Sequence, residues 1–281
     1  MNLLNVVSEI EKTDPEIYER LDSRRNVFQK FQSLSGKIAL AAVPIALGSI
    51  FQKAYGAPTP STVLDIFNFA LTLEYLESEF YQTGLAMGSA LIPSSQDMAD
   101  LKTIGDHEKE HVMFLTTAIK AAGGTPVAKL KFDFTAGSGS GNGPFKGLFE
   151  NYEIFLAVAQ TFEDTGVRAY KGQAPNLVKG GAYLTAALNI HSVEARHASH
   201  IRQMRKNNGF GDPKPWITGQ HTNAIGAAVQ PNYSGEENDF QGGFHITNIN
   251  GFPISNDAAT EAFDEPLSKN QVLALVKPFF A

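Results

Sequence analysis

One polar pattern occurs twice in this sequence and restricts the folds that the chain can adopt. In each copy a glutamate is followed seven residues later by a tyrosine, and a Glu-x-x-His motif follows further along the chain. The two copies comprise Glu74, Tyr81, Glu108 and His111, and then Glu163, Tyr170, Glu194 and His197. Residues three or seven positions apart lie on one face of an α-helix. The pattern therefore predicts four helices, each with polar groups on a single face.

Four long segments around these residues have helical signals at their ends. The first begins at Thr59-Pro60-Ser61-Thr62, where a capping residue precedes a proline in the first turn. The predicted helices run from there to about Gly84, from Ser94 or Ser95 to Gly123-Gly124, from about Pro144 to Gly172, and from Leu177 or Gly180 to Asn208-Gly209. Each has roughly 25 residues and should be about 40 Å long.

The connections between these helices predict their topology. The first and second helices, and the third and fourth, are joined by about ten residues or fewer, so each pair should form antiparallel neighbours. The segment from Thr125 to Gly143 includes the tract Gly137-Ser138-Gly139-Ser140-Gly141 and is long enough to cross the length of a bundle. Two hairpins joined by one long crossover form the ferritin-like arrangement. We expect an all-α fold: a ferritin-like four-helix bundle over residues 58–208, and an irregular C-terminal extension over 209–281 that packs on it. Trp216 and the apolar residues 272–276 should anchor this extension, and a short helix should begin near Ser268.

The composition narrows the chemistry of a site. The 281 residues include no cysteine, which excludes disulfides, thiolate zinc sites, iron–sulfur clusters and cysteine nucleophiles. The net charge is −6, and no basic block is longer than a dipeptide, so nucleic acid is not an expected partner. No run of apolar residues is long enough for a stable membrane span.

The inward-facing polar groups require counter-charge. Four carboxylates and two imidazoles would meet at the middle of the bundle, and that many acids cannot all stay ionised in an apolar interior. Two divalent cations would balance the four negative charges. Carboxylates combined with imidazoles suit iron or manganese. We therefore expect two Fe ions, or Mn ions, as cofactors.

Four short stretches of the sequence carry a resemblance to a known family. EYLESEFY, HEKEH, FEDTG and HSVEARH resemble the ferritin-like di-iron carboxylate superfamily, which includes bacterioferritin and rubrerythrin, and more narrowly bacterial ferritin-like proteins related to plant desiccation-induced proteins. The resemblance covers about residues 60–208. It implies six metal ligands, Glu74, Glu108, His111, Glu163, Glu194 and His197. It also implies that Tyr81 and Tyr170 are hydrogen-bond partners of the ligands or oxidisable groups, and that Glu108 and Glu163 are bridging or semi-bridging.

Several neighbouring residues are given other roles. Glu77 lies one turn after Glu74 and is expected to be a polar neighbour or a surface acid. His107 is expected beside the ligands or in solvent, and Asp164 is expected to bond to a neighbouring helix. His191 and His200 should lie off the face that carries the site.

These expectations favour a dinuclear oxidoreductase that reacts with O2 or hydrogen peroxide, with ferrous oxidation or peroxide removal under stress as its outcome. A homodimer is a candidate assembly. The alternative is a protective or interaction protein that keeps the fold with a vestigial site. An iron store is a third hypothesis, although an extension of about 70 residues would fit poorly into a closed shell.

The N-terminal 57 residues carry signals of export. Ser23-Arg24-Arg25-Asn26-Val27-Phe28-Gln29-Lys30 precedes a mildly apolar run from Ile38 to Phe51, and the small residues of Ala54-Tyr55-Gly56-Ala57 follow. This order resembles a twin-arginine signal and predicts an exported, periplasmic protein. The alternative is a cytoplasmic protein in which an amphipathic helix from Asn5 to Leu21 docks on the bundle or on another subunit.

Overall fold

The computed structural model describes residues 60–178, 180–249 and 251–281. Four long helices form a bundle, and the prediction of an all-α fold is confirmed. Their bounds are α1 Pro60–Ala86, α2 Ser95–Ala121, α3 Tyr152–Gln173 and α4 Ala182–Asn207. Within the described part of the chain, no helix combines the length and apolarity needed to cross a membrane. The predicted N-terminal export signal and the capping role of Thr59 lie outside the described residues.

Contacts between side chains show how the helices run. On α1 and α3, residue 81 bonds to residue 163 and residue 74 to residue 170, so these two helices are antiparallel. Residue 74 lies against residue 111, and residue 81 lies against residue 105, so α1 and α2 are antiparallel neighbours. Residue 163 lies against residue 197, and residue 167 against residue 191, so α3 and α4 are antiparallel too. The two helices on either side of the crossover therefore point the same way, as one long crossover requires.

Two helix starts differ from their predicted positions. α2 begins where expected, since the side chain of Ser94 accepts hydrogen bonds from two backbone N–H groups of the first turn. α3 was predicted from Pro144 but starts at Tyr152, because Asn151 is extended and its side chain caps the helix. α4 starts at Ala182, since Leu177 ends a separate 3₁₀ helix and Gly181 has a positive φ of 48°.

The crossover from α2 to α3 is wound around one aspartate. The carboxylate of Asp133 accepts hydrogen bonds from the backbone N–H groups of Thr135, Gly139 and Gly141. The Gly/Ser tract therefore forms a compact turn instead of a loose linker. The backbone of the crossover also bonds to the end of the chain, where the N–H of Asp133 donates to the carbonyl of Phe279 at 2.7 Å.

The C-terminal extension contains only short elements. A 3₁₀ helix is followed by two antiparallel pairs of two-residue strands, two short α-helices and a final 3₁₀ turn. Their bounds are Ala227–Tyr233, β1 Phe240–Gln241, β2 Phe244–His245, β3 Asn248–Ile249, β4 Phe252–Pro253, α5 Asn256–Thr260, α6 Lys269–Val276 and Lys277–Phe279. The predicted helix start near Ser268 is correct, and this residue forms a capping box with Gln271.

Three buried arginines of the bundle hold the extension in place. Arg168 bonds to the carbonyls of residues 232, 234 and 265, and forms an ion pair of 2.8 Å with Glu236. Arg202 and Arg205 also donate to carbonyls of the extension. Arg202 pairs with Asp164 across α3 and α4, which confirms the interhelical bond expected of Asp164. Trp216 was expected to anchor the extension, but half of its side chain is exposed.

The core is divided by a polar layer. One apolar cluster surrounds Phe80 and Phe155, and the other surrounds Leu71 and Ile119. The glutamates of the repeated pattern lie between these clusters on all four helices. The fold therefore places charge where an ordinary bundle would have continuous apolar packing.

Candidate metal centre

The repeated pattern converges at the middle of the bundle. α1 contributes Glu74, α2 contributes Glu108 and His111, α3 contributes Glu163, and α4 contributes Glu194 and His197. All four carboxylates are fully buried, His197 is nearly so, and His111 is partly buried. These six residues form what we call the Glu/His cluster.

The cluster consists of two overlapping groups of potential ligand atoms. One group contains Glu74 and His111, the other contains Glu163 and His197, and both include Glu108 and Glu194. Within each group the atoms lie within 4.8 Å of one another. Glu108 and Glu194, the two glutamates of the Glu-x-x-His motifs, therefore occupy the shared position. Glu163 was expected to bridge together with Glu108, but it belongs to only one of the two groups, whereas Glu194 belongs to both.

Several atoms of the cluster lie close together without forming hydrogen bonds to one another. Nδ1 of His197 lies 2.8 Å from Oε1 of Glu108, yet neither atom has a hydrogen bond of acceptable geometry within the described structure. Oε2 of Glu163 and both carboxylate oxygens of Glu194 are also buried without a hydrogen-bond partner there. Buried acceptors without donors are costly, so these atoms fit a site that metal cations fill.

Burial determines how the carboxylates titrate. It raises the pKa of Glu74 to about 7, and raises that of Glu163 and, more strongly, that of Glu194. Burial also acts to raise the pKa of Glu108, but the hydrogen bond from His111 and the charges of both histidines outweigh it and hold this pKa well below its usual range. The cluster without metal therefore retains protons that cations would displace.

The pKa values of both histidines are raised, whereas burial alone would lower them. Burial acts to lower the pKa of His197, but the charges of Glu163 and Glu108 raise it to about 11. The pKa of His111 is also raised, because the glutamates around it outweigh its burial. Both histidines turn Nδ1 toward the glutamates, so Nδ1 is the nitrogen available to a metal.

Each tyrosine of the pattern bonds across the bundle. The hydroxyl of Tyr81 on α1 donates to Oε1 of Glu163 on α3 at 2.5 Å, and the hydroxyl of Tyr170 on α3 donates to Oε1 of Glu74 on α1. Burial, followed by the charge of the bonded glutamate, raises the pKa of both phenols well above the usual value. The phenols therefore remain protonated and orient the two outer carboxylates. The sequence placed each tyrosine near a glutamate, but only the fold shows that the partners are exchanged between helices.

Three neighbours complete the surroundings of the cluster. Glu77 is 3% exposed and burial raises its pKa well above the usual value, so an exposed position for this residue is wrong. Nδ1 of His107 lies 3.0 Å from Nε2 of His197, with the two rings stacked, which places it beside the ligands. A Cβ atom added to Gly166 would lie 2.9 Å from Oε2 of Glu194. Sequence reasoning missed Gly166, although a glycine inside a buried helix is the signal that could have indicated a close approach.

His191 and His200 lie off the site, as expected. His191 bonds through Nδ1 to the carbonyl of Val167 at 3.0 Å. His200 forms an ion pair of 3.1 Å with Asp100. Neither belongs to the two groups of potential metal ligands.

Comparison with known proteins places the fold and the cluster in a family. The chain matches the family model described as a ferritin-like domain over residues 62–207, a range that contains all four bundle helices apart from their outermost residues. No curated protein matches the chain. The narrower resemblance to desiccation-related proteins stays a prediction. The match spans more than half of the 281 residues, and the chain belongs to the ferritin-like domain family.

Proposed function

We propose that this protein holds two iron or manganese ions in the Glu/His cluster and uses them as an oxidoreductase toward O2 or hydrogen peroxide. The observation that carries the proposal is the set of buried carboxylate and imidazole atoms that converge without hydrogen-bond partners among the described residues. Ferrous oxidation or peroxide removal under stress is the expected physiological outcome.

The residues divide naturally between two ions. Glu74 and His111 would hold one ion, Glu163 and His197 the other, and Glu108 and Glu194 would contact both. Ions of this kind supply redox chemistry with a small oxidant by changing their oxidation state. Four ionised carboxylates would balance two divalent charges, which would remove the repulsion that burial otherwise imposes.

Side chains around the cluster form hydrogen bonds that orient the proposed ligands. Tyr81 and Tyr170 donate to Glu163 and Glu74, and these bonds fix the oxygens that the phenols contact. His107 lies against Nε2 of His197, so it can accept the ring N–H that remains when Nδ1 binds a metal. We assign the two tyrosines the catalytic role of controlling the carboxylates and their protons.

The space beside the cluster suits a small reactant. A cavity next to it is lined by Leu73, Glu77, Phe162 and Gly166, and its volume is about 10 Å³. That is roughly the room needed for one water molecule. A diatomic oxidant or peroxide is therefore a better fit than an organic substrate.

A paired substitution tests the assignment. Changing both shared ligands, Glu108→Gln and Glu194→Gln, keeps their volume but removes two charges, so we expect the loss of at least one ion per chain. The matched control changes two exposed acids of α2, Asp106→Asn and Glu110→Gln, and should retain full metal content. Elemental analysis and assays of ferrous oxidation and peroxide consumption provide the readouts. Equal metal content in the two variants would contradict the site, and metal binding without either reaction would favour the protective or interaction protein.

We also propose export. The sequence support is the twin-arginine motif at residues 23–30 followed by an apolar run and small residues. Because the twin-arginine route carries folded proteins, it would allow the bundle to load metal before transport. N-terminal sequencing of the mature protein should begin near residue 57 or 58. A mature protein that starts at Met1 in the cytoplasm would contradict this proposal.

A further inference from the structure

A cleft lies on the side of the α3–α4 hairpin opposite to the Glu/His cluster. Its walls come from α3, α4 and two segments of the C-terminal extension, residues 215–217 and 261–264, and its volume is about 280 Å³. Asp164, Ala195 and Ala198 line it, and each directly follows a residue of the cluster in the chain. Consecutive residues of a helix point about 100° apart, so the helices separate the cleft from the proposed metal site.

Two aromatic side chains give the cleft an apolar edge. Trp216 is 50% exposed and Phe263 is 44% exposed, and both line the cleft. Trp216 is the only tryptophan of the 281 residues. Large aromatic groups that stay partly open to solvent beside a concave space are typical of a ligand site.

The polar groups of the cleft are mainly acceptors. Oδ2 of Asp264 is buried without a hydrogen-bond partner among the described residues, and Nζ of Lys171 lies 3.6 Å from it. Burial raises the pKa of this carboxyl. His191 uses Nδ1 toward the carbonyl of Val167, so Nε2 is the ring nitrogen that remains for a ligand.

The cationic groups at the cleft are already engaged. Arg202 donates to Asp164 and to the carbonyl of Trp216. Lys171 donates to the carbonyl of Asp264 and lies 3.6 Å from Oδ2 of the same residue, so its charge is directed at Asp264. A ligand would therefore meet aromatic surface, and a donor on the ligand would satisfy Oδ2 of Asp264.

We propose that this cleft binds a small aromatic molecule that carries hydroxyl or amino groups, with its ring against Trp216 and Phe263 and its donors toward Asp264 and His191. Phenols and arylamines have this chemistry. An apolar ring would leave the carboxylate of Asp264 without a donor, and an aromatic carboxylate would place a second negative charge beside it. The proposal is independent of metal binding, because no residue lines both the cleft and the cavity beside the cluster.

Tryptophan fluorescence tests the proposal in the full chain, since Trp216 is the only tryptophan of the protein and the absorption and emission of each added compound can be measured alone and subtracted. Phenol and aniline are added to metal-free protein, and toluene and benzoate serve as comparison compounds. We expect a saturable change with phenol and aniline, at concentrations about tenfold lower than toluene or benzoate requires, because a hydrogen bond to a charged group contributes that much selectivity.

Two variants locate the binding. Ala195 is exposed on the helix that lines the cleft, so Ala195→Leu should fill the space without disturbing the core and raise the half-saturating concentration about tenfold or more. Ala99→Leu, at an exposed position of α2, is the matched control and should bind as the unaltered protein does. Asp264→Asn should reduce the preference for phenol and aniline over toluene.

Three results would overturn the proposal. One is a purely linear quenching by every compound, which indicates collision without binding. Another is equal binding of toluene, benzoate and phenol. The third is a half-saturating concentration that Ala195→Leu leaves unchanged. Circular dichroism of each variant confirms that the fold is retained, so that a loss of binding reports on the cleft.

Discussion

At the scale of single residues, spacing along a helix determines which side chains can meet. The six residues of the Glu/His cluster could be predicted, because Glu-x-x-His and Glu-x6-Tyr spacings fix which side chains share a helix face, while their role as metal ligands stays a prediction. The exchange of tyrosine partners between α1 and α3 could not, since it depends on the relative height of two helices far apart in sequence. The pairing of Glu108 with Glu194 at the shared position depends in the same way on the packing of α2 against α4.

Gly166 provides a prediction at this scale. A methyl group there would lie 2.9 Å from Oε2 of Glu194 and 3.2 Å from Oε1 of Glu77, so Gly166→Ala should displace at least one of these carboxylates. We expect metal affinity to fall by about tenfold to a hundredfold, as when the groups that orient ligands are altered.

The stability of the metal-free Gly166→Ala variant shows whether a loss of metal affinity could come from unfolding. Alanine favours the helix interior by about 1 kcal/mol over glycine, so Gly166→Ala should still fold. Competition with a chelator measures the affinity, and urea unfolding of metal-free protein measures the stability. Unchanged metal affinity would show that the close approach of Gly166 has no role in placing Glu194.

At the scale of elements, capping residues predict helix ends better than apolar spacing does. Ser94 and Ser268 begin α2 and α6 where the sequence indicated. The segment before α3 has apolar residues at helical intervals, but Gly147 has a φ of 80° and Phe145 stacks on Phe279 from the end of the chain. A contact with the opposite terminus is not visible in a local pattern, so the start of α3 was placed too early.

Asn151 should be the residue that stops α3 from extending toward Pro144. Its side-chain oxygen accepts the N–H of Ile154 at 3.1 Å. Asn151→Ala should lower the free energy of unfolding by about 1 kcal/mol, and Asn151→Ser should restore most of it, because serine caps a helix nearly as well. Urea denaturation of both variants checks this. Equal stability of the alanine variant and the unaltered protein would mean that the cap contributes nothing.

At the scale of the whole molecule, long-range polar contacts determine the position of the C-terminal extension, for which the sequence has no regular pattern. The C-terminal extension is rich in Gly, Asn and Pro and has no periodic pattern, so only its coarse character could be predicted. Its position depends on Arg168, Arg202 and Arg205, whose side chains satisfy backbone carbonyls from residue 210 to residue 265. The bundle was predictable because the sequence of each helix has its own end signals and its own spacing of polar residues.

The buried acids make the stability of the metal-free protein depend on pH. The pKa of Glu74 is raised to about 7, and those of Glu77 and Glu194 are raised well above the usual value, all chiefly by burial. Such groups contribute stability that is complete below the ordinary pKa of 4.5 and is lost as the pH rises through the folded value. Glu108 has a lowered pKa and acts in the opposite sense, but only below about pH 4.5.

We therefore expect the free energy of unfolding of metal-free protein to fall between about pH 5 and pH 8, by on the order of 1 kcal/mol per pH unit for each proton involved. Urea unfolding at several pH values measures this. Metal-loaded protein should lose most of the dependence, because cations replace the protons. A metal-free protein whose stability rises over this range would show that the glutamates are not held as protonated acids.

The most direct measurement is the metal content of the purified full chain, determined by elemental analysis after expression with added iron and manganese. The two overlapping groups of the Glu/His cluster predict about two iron or manganese atoms per chain. They also predict the loss of at least one of these atoms in the Glu108→Gln, Glu194→Gln variant. A chain that contains no metal, and takes up none when ferrous ions are added without oxygen, would contradict the dinuclear centre.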